Sequence, residues 1–297
     1  MPRWSEPLAS AYAACERLAQ SHYENFPVAS RLLPSAMRPH VAAVYAFARI
    51  ADDIADEGDV PASARLSLLG QWRERLHEAA GGNGPATPTD RDALVTLALS
   101  HSIRTLDLPL SLFDDLLSAF GQDTMTERYA SWADVFDYCR RSANPIGRLV
   151  LRIAGYRDEA LERSSDGLCT ALQLTNFWQD FGRDWRSGRL YVPRDVMDQW
   201  GASEGDLMAG RMSPAWIQAL ESCVTVTRDR FRDGRAVCDG VRGRLRIELR
   251  LTWLGGRRIL DRVERTRMDL LETRPTLGSA DLPGLLWRAA RWGGAPA

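Results

Sequence analysis

Carboxylates recur at a spacing of four in two short boxes, Asp52-Asp53-Ile54-Ala55-Asp56-Glu57 and Asp180-Phe181-Gly182-Arg183-Asp184. Residues i and i+4 share one face of an α-helix. Asp52 with Asp56, and Asp180 with Asp184, therefore each present two negative groups side by side. Two such pairs meeting inside a helical interior repel one another unless a cation lies between them. Mg²⁺ suits that position, because it takes hard oxygen ligands and is typically held by one or two carboxylates together with substrate phosphate oxygens. The chemistry implied is ionisation of a diphosphate, in which divalent ions neutralise the leaving group and act as Lewis acids on its C–O bond. Arginine adds charge-assisted hydrogen bonds to the departing phosphate. The carbocation left behind requires a water-poor pocket with apolar and aromatic walls.

The surroundings of the second box extend its stripe. Gln173, Asn176, Asp180 and Asp184 follow at intervals of three, four and four, which on a continuous helix confines them to an arc of about 80°. Leu172, Leu174, Phe177, Trp178 and Phe181 flank them. A polar stripe among apolar neighbours lines a wet cavity, since buried polar groups need partners. In the first box, Arg49 lies three residues before Asp52, and Tyr45 a further turn back. A lone D-x-x-x-D is ordinarily a surface ion-pair helix. Two boxes in apolar helices, one aligned with a Gln and an Asn, turn the reading toward a metal and diphosphate site.

These residues must be carried by helices. Leu66, Leu69, Trp72 and Leu76, and again Leu94, Leu97 and Ala98, recur at three and four residues, and no alternating strand pattern is sustained. The spacing predicts an all-α chain, with breaks over Ala80 to Thr89, at Pro109, at Asn144-Pro145, near Gly155 to Asp158 and at Pro193. With 297 residues, 45% of them hydrophobic, and no dividing linker, one domain spanning 1–297 is expected.

Composition excludes several functions. The net charge of −1 suggests no nucleic-acid partner. All 38 basic residues are Arg, which removes Schiff-base catalysis and the phosphate-binding Lys of a P-loop. Five cysteines without C-x-x-C spacing fit a reduced cytoplasmic setting. No signal peptide or membrane span is expected, so the protein is read as cytoplasmic, either soluble or peripheral at the inner membrane. A di-iron bundle wants Glu-x-x-His on two helices, and only Glu74 to His77 fits. No G-x-S-x-G elbow occurs. His40, His77 and His101 show no metal spacing and are read as structural. From Arg228 to Arg274 there are fourteen Arg against eight Asp and Glu. Ion-paired solvated helix faces are the ordinary explanation, and attraction to diphosphate or anionic lipid is the sharper one. The tail Leu285-Leu286-Trp287-Arg288-Ala289-Ala290-Arg291-Trp292 mixes Trp and Arg as an interfacial helix does, although packing back on the core is an equal expectation.

The run His22-Tyr23-Glu24-Asn25-Phe26, then Tyr45 to Arg49 leading into Asp52 to Asp56, Tyr138-Cys139, and Gln173 to Asp180 through Asp184, Arg189 and Tyr191, resembles the squalene and phytoene synthase family. The resemblance implies a single all-α isoprenoid-synthase-type bundle with a central cavity, its core over about residues 20–270, binding Mg²⁺, on the order of two or three ions. It assigns metal binding to Asp52, Asp56, Asn176, Asp180 and Asp184. Substrate binding falls to His22, Phe26, Tyr45, Arg49, Gln173, Asn176, Arg189 and Tyr191. Two departures mark this chain. Asn144-Pro145 stands where many members have a Gly-containing helix break, and Gly256 stands where they have a Tyr before Ile259-Leu260.

With Phe26-Pro27-Val28-Ala29-Ser30 and Leu249-Arg250, these departures are similar to the bacterial hopanoid-pathway branch that forms hydroxysqualene from presqualene diphosphate. That likeness implies no NADPH, pathway enzymes as partners, and Asn144 as a catalytic residue holding the attacking water. Head-to-head condensation of farnesyl diphosphate to presqualene diphosphate or squalene, or formation of phytoene, is the nearest alternative. A non-catalytic prenyl-diphosphate binder is the remote one.

Overall fold

Apolar residues at three- and four-residue spacing fold here as helices throughout. The described residues form no strand beyond an isolated parallel bridge of Arg128 with Leu190. A computed structural model describes residues 4–21, 32–56, 58, 60–83 and 90–294. In chain order the helices are α1 (Glu6–Ser21), α2 (Arg38–Asp56), α3 (Ala62–Ala80), α4 (Arg91–Leu106), α5 (Leu110–Asp123), α6 (Trp132–Ser142), α7 (Asn144–Ile153) and α8 (Glu159–Gln179). They continue as α9 (Phe181–Arg186), α10 (Arg194–Trp200), α11 (Glu204–Met208), α12 (Pro214–Asp233), α13 (Val237–Gly240), α14 (Gly243–Arg265) and α15 (Leu282–Ala290). The fold is all-α, as expected. Pro109 and Pro193 precede α5 and α10, where a missing N–H costs nothing, and Gly155 turns the chain between α7 and α8 at φ 85°. The described residues group into two units, Met1–Met125 with Pro145–Asp158, and Thr126–Asn144 with Glu159–Ala297.

In the first unit α2 packs against α1, α3, α4 and α5. Its buried residues include Val41, Val44, Phe47, Ile50, Ala51 and Ala55. Phe47 is fixed by two rings, stacked on Trp72 of α3 at 5.3 Å and edge-on to Phe113 of α5 at 5.6 Å. The Trp72 indole N–H also donates to the Phe47 carbonyl at 3.3 Å. That anchoring sets the azimuth of α2, and with it the line Tyr45, Arg49, Asp52 and Asp56 at spacings of four, three and four.

A polar knot joins α1 to α2 and α4. The Tyr12 hydroxyl lies 3.1 Å from His40 Nδ1, 2.8 Å from His101 Nδ1 and 2.9 Å from Ser102 Oγ. Burial pushes the Tyr12 phenol up to about 12, against a lowering by Ser102. Burial, reinforced by His101, pulls His40 down to about 4. Both rings are therefore neutral at pH 7, the structural role expected of them. A histidine with a folded value below its unfolded one takes up protons preferentially on unfolding, so stability falls as pH drops from 6.5 toward 4. Denaturation midpoints across that window are expected to lose on the order of 2 kcal/mol, after allowing for partial exposure. His40→Asn, which keeps a polar atom near Nδ1, is expected to flatten most of the dependence; an unchanged pH profile would remove His40 as its source.

In the second unit α8 is the central rod, with α6, α12, α13 and α14 against it. Small residues allow the closest crossings. A Cβ on Gly167 would lie 2.9 Å from the Gly234 backbone nitrogen. One on Gly256 would lie 2.6 Å from Leu172 and 2.8 Å from Phe231. Gly256, where the family pattern has Tyr, is thus the residue over which the fully buried Phe231 ring seats. Trp178 of α8 is locked by an indole N–H to Thr227 Oγ1 bond of 2.8 Å.

After α14 the chain returns as a strap over the end of α8. Gln179 Nε2 donates to the Pro275 carbonyl at 2.6 Å, and Arg186 to the Leu271 carbonyl at 2.7 Å. A Cβ on Gly182 would press on the Leu271 carbonyl oxygen and lie 2.6 Å from that of Leu270. Only glycine permits the strap to lie this close.

Candidate active site

The second box lies at a helix break. α8 stops at Gln179, Asp180 adopts φ −95° and ψ 10°, and α9 starts at Phe181. This corrects the expectation of one continuous helical stripe. The i to i−4 ladder nevertheless carries through, since Asp180 N donates to Asn176 O at 2.8 Å and Asp184 N to Asp180 O at 2.9 Å. Gln173, Asn176 and Asp184 are part-exposed, while Asp180 is only 9% exposed. A carboxylate that far from water needs positive charge or donors. Arg274 supplies both: its Nε pairs with Oδ1 and its Nη2 donates to Oδ2 at 3.3 Å, with Arg183 3.8 Å from Oδ1. Arg274 is carried to Asp180 by the strap.

The segment after α9 closes the same region. Arg189 N donates to Asp184 O at 2.8 Å, and Leu190 N to Glu127 O at 3.0 Å. This seats Tyr191 flat on Phe177, with centroids 3.7 Å apart and planes at 6°. Tyr129 stacks on Tyr191 at 5.6 Å, and Tyr138 stands 6.2 Å from it and 6.0 Å from Phe177. Four aromatic rings therefore adjoin a stripe of two carboxylates and two carboxamides. Asn144, the first residue of α7, meets α8 about two and a half turns before its end, where the Asn144 Oδ1 accepts from Thr170 Oγ1 at 3.0 Å. Both residues are buried, and the bond orients the amide.

In the first unit, Arg49 donates to Asp52 Oδ2 at 3.1 Å and pairs with Asp53 Oδ1 at 2.6 Å. Tyr45 shares that face. Burial raises its phenol above the ordinary value, Arg49 opposes and the two aspartates add, so it stays protonated. Asp56 ends α2 and is exposed. His22 and Phe26 lie outside the described residues.

The structure thus collects Gln173, Asn176, Asp180, Asp184, Arg189 and Tyr191 around the α8–α9 junction, and Tyr45, Arg49, Asp52 and Asp56 along α2. Sequence reasoning missed Arg274 and Tyr129. Arg274 closes the Arg-rich stretch and precedes Pro275, but nothing in the spacing pairs it with a residue 94 positions away. Most of that stretch does form ion pairs, such as Arg228 with Glu264 at 2.6 Å and Arg267 with Glu221 at 2.8 Å.

The donor set is carboxylate oxygen in the first box and carboxylate with carboxamide oxygen in the second, the hard ligands Mg²⁺ prefers. Among the described residues no three His, Cys, Asp or Glu side chains form a closed cage. An ion shared with substrate phosphates needs only one or two carboxylates from the protein.

The squalene/phytoene synthase family profile matches residues 19–281. A hydroxysqualene synthase of Zymomonas mobilis is 40% identical over 207 residues, 69% of this chain and 66% of that protein. The hydroxysqualene synthase of Rhodopseudomonas palustris is 35% identical over 84% of this chain and 82% of its own length. The crystal structure of the squalene synthase HpnC from Alicyclobacillus acidocaldarius superposes with a TM-score of 0.81 at 38% identity, covering 89% of this chain and 96% of that one.

Proposed function

The chain belongs to the squalene/phytoene synthase family and is an enzyme of it, and from that premise we propose that it converts presqualene diphosphate and water to hydroxysqualene and diphosphate. The likeness to two hydroxysqualene synthases, with both acidic boxes and the aligned Gln173 and Asn176 present, carries the reading. Both units serve one catalytic domain in this proposal. Asp52 and Asp56 on α2, and Asn176, Asp180 and Asp184 at the α8–α9 junction, hold the Mg²⁺ ions. When bound, those ions supply charge neutralisation for the diphosphate and polarise its C–O bond.

The protein's own groups do the rest. Arg49 and Arg189 donate hydrogen bonds to phosphate oxygens, and Gln173 and Tyr45, the latter kept protonated by burial, donate further ones. Phe177 and Tyr191, stacked on each other, contribute to an aromatic wall beside the cation formed as the C–O bond breaks. His22 and Phe26 hold the diphosphate and the prenyl chain. Water adds to the carbocation, one proton leaves, and the hydroxyl of the product results. Asn144, its amide oriented by Thr170, holds that water. No reductant enters this balance, so NADPH is not required. Cytoplasmic placement against the inner membrane suits a largely apolar C30 alcohol as product, and pathway enzymes are the expected neighbours.

The reading is tested by incubating pure protein with presqualene diphosphate or farnesyl diphosphate, with and without NADPH, and identifying the lipids by mass. Hydroxysqualene from presqualene diphosphate without NADPH is the expected result. Squalene, presqualene diphosphate or phytoene as product would install the condensation reading, and absence of pyrophosphate release would leave a binder. Asn144→Ala is expected to lower the ratio of hydroxysqualene to other C30 products severalfold; an unchanged ratio would rule out its water-holding role.

A further inference from the structure

We infer that the outward face of α15 is a docking surface for an anionic lipid bilayer. The helix is held firmly by one side. Leu285, Ala289 and Trp292 are buried. The Trp292 indole N–H donates to Asp239 Oδ2 at 3.0 Å, and the ring meets Trp253 edge-on at 5.3 Å beneath the Arg235 guanidinium at 4.6 Å. At the other end Asp281 accepts from the Gly278 N–H at 2.9 Å and pairs with Arg262 at 2.6 Å. The apolar side chains on the other side are therefore displayed by an anchored helix.

Those side chains are Leu282, Leu286 and Trp287, exposed by 56%, 52% and 59%. With Pro283 and Ala290 they fill a continuous arc of about 140° at ~100° per residue. Arg291 and Arg288 occupy the next sector, and the Arg291 guanidinium lies 4.1 Å over the Trp287 ring. No acidic residue occurs from Leu282 to Gly294. Among the described residues no other helix exposes three large apolar side chains. No described helix is long and apolar enough to cross a membrane.

A short anchored helix with an exposed Leu and Trp face, a cationic border and no anionic group has the chemistry of an interfacial element. Trp sits at the headgroup level, the leucines enter the acyl boundary, and arginines pair with anionic headgroups. Charge complementarity selects the bilayer over a protein groove as the occupant. The benefit to catalysis, delivery of a C30 substrate and release of a C30 product into lipid, rests on the proposed function; the binding does not.

The test is flotation of the full-length protein with phosphatidylcholine vesicles, with and without phosphatidylglycerol. The wild type is expected to float with the phosphatidylglycerol vesicles at low salt. Leu286→Ser/Trp287→Ser is expected to lower partitioning at least ~10-fold, and Arg288→Gln/Arg291→Gln to abolish the preference for phosphatidylglycerol, both with an unchanged melting temperature. Failure of the wild type to float, or equal flotation of the Leu286/Trp287 variant, would overturn the proposal. So would a wild-type dimer in sedimentation that this variant dissociates, because a second copy would then be the occupant. Turnover in detergent is measured separately, so loss of the catalytic reading leaves the flotation result standing.

Discussion

Asp180→Asn is expected to cut pyrophosphate release by at least ~10²-fold, about 2.7 kcal/mol of transition-state stabilisation, while leaving the melting temperature within a few degrees. The substitution keeps the side-chain shape and an acceptor for Arg274 but removes the charge that both the guanidinium and a metal ion require. Asp52→Asn is expected to match it. If the two boxes serve one diphosphate, the double variant falls little below either single one, since groups acting on the same charge are not additive. Retention of more than a few percent of activity by either single variant would defeat its metal role. Multiplying losses in the double variant would show the boxes working separately.

Gly182→Ala has the largest expected effect on stability. Its new methyl would meet two backbone carbonyl oxygens, those of Leu270 and Leu271, and neither can turn aside as a flexible side chain could. Overpacking of this kind costs about 2–3 kcal/mol, read as a melting temperature lower by ~4 °C or more. The strap also carries the Pro275 carbonyl bound by Gln179 and the Arg274 that faces Asp180, so activity is expected to fall with it. Gly284→Ala is the control. Nothing lies within 4 Å of its Cβ, and alanine favours the helix, so stability is expected to hold or rise slightly. An equally tolerant Gly182 would mean that the strap yields without cost.

Much of the fold was legible because helical periodicity is a local property. The spacing of Leu66, Leu69, Trp72 and Leu76 is satisfied within α3, where Leu69, Trp72 and Leu76 are buried and Leu66 is left at the surface. The four site residues of α2 were readable for the same reason, since their shared face needs only 100° per residue. The break at Asp180 was not readable. It depends on the strap, which ties Gln179 and Arg186 on either side of it. At the C-terminal end the two tryptophans part: Trp292, in the turn after α15, packs inward, while Trp287 on α15 is exposed.

Local chemistry alone therefore determined the all-α class, the two carboxylate pairs and the alignment of Gln173 and Asn176 with the second, because each is a matter of residue type and helical spacing within a few turns. Only tertiary structure decided that Arg274 neutralises Asp180, that Tyr129 joins the rings beside Tyr191, and that Gly182 must lack a side chain. Those outcomes join residues distant in sequence, and side chains meet across such separations only where backbone packing and buried charge require it.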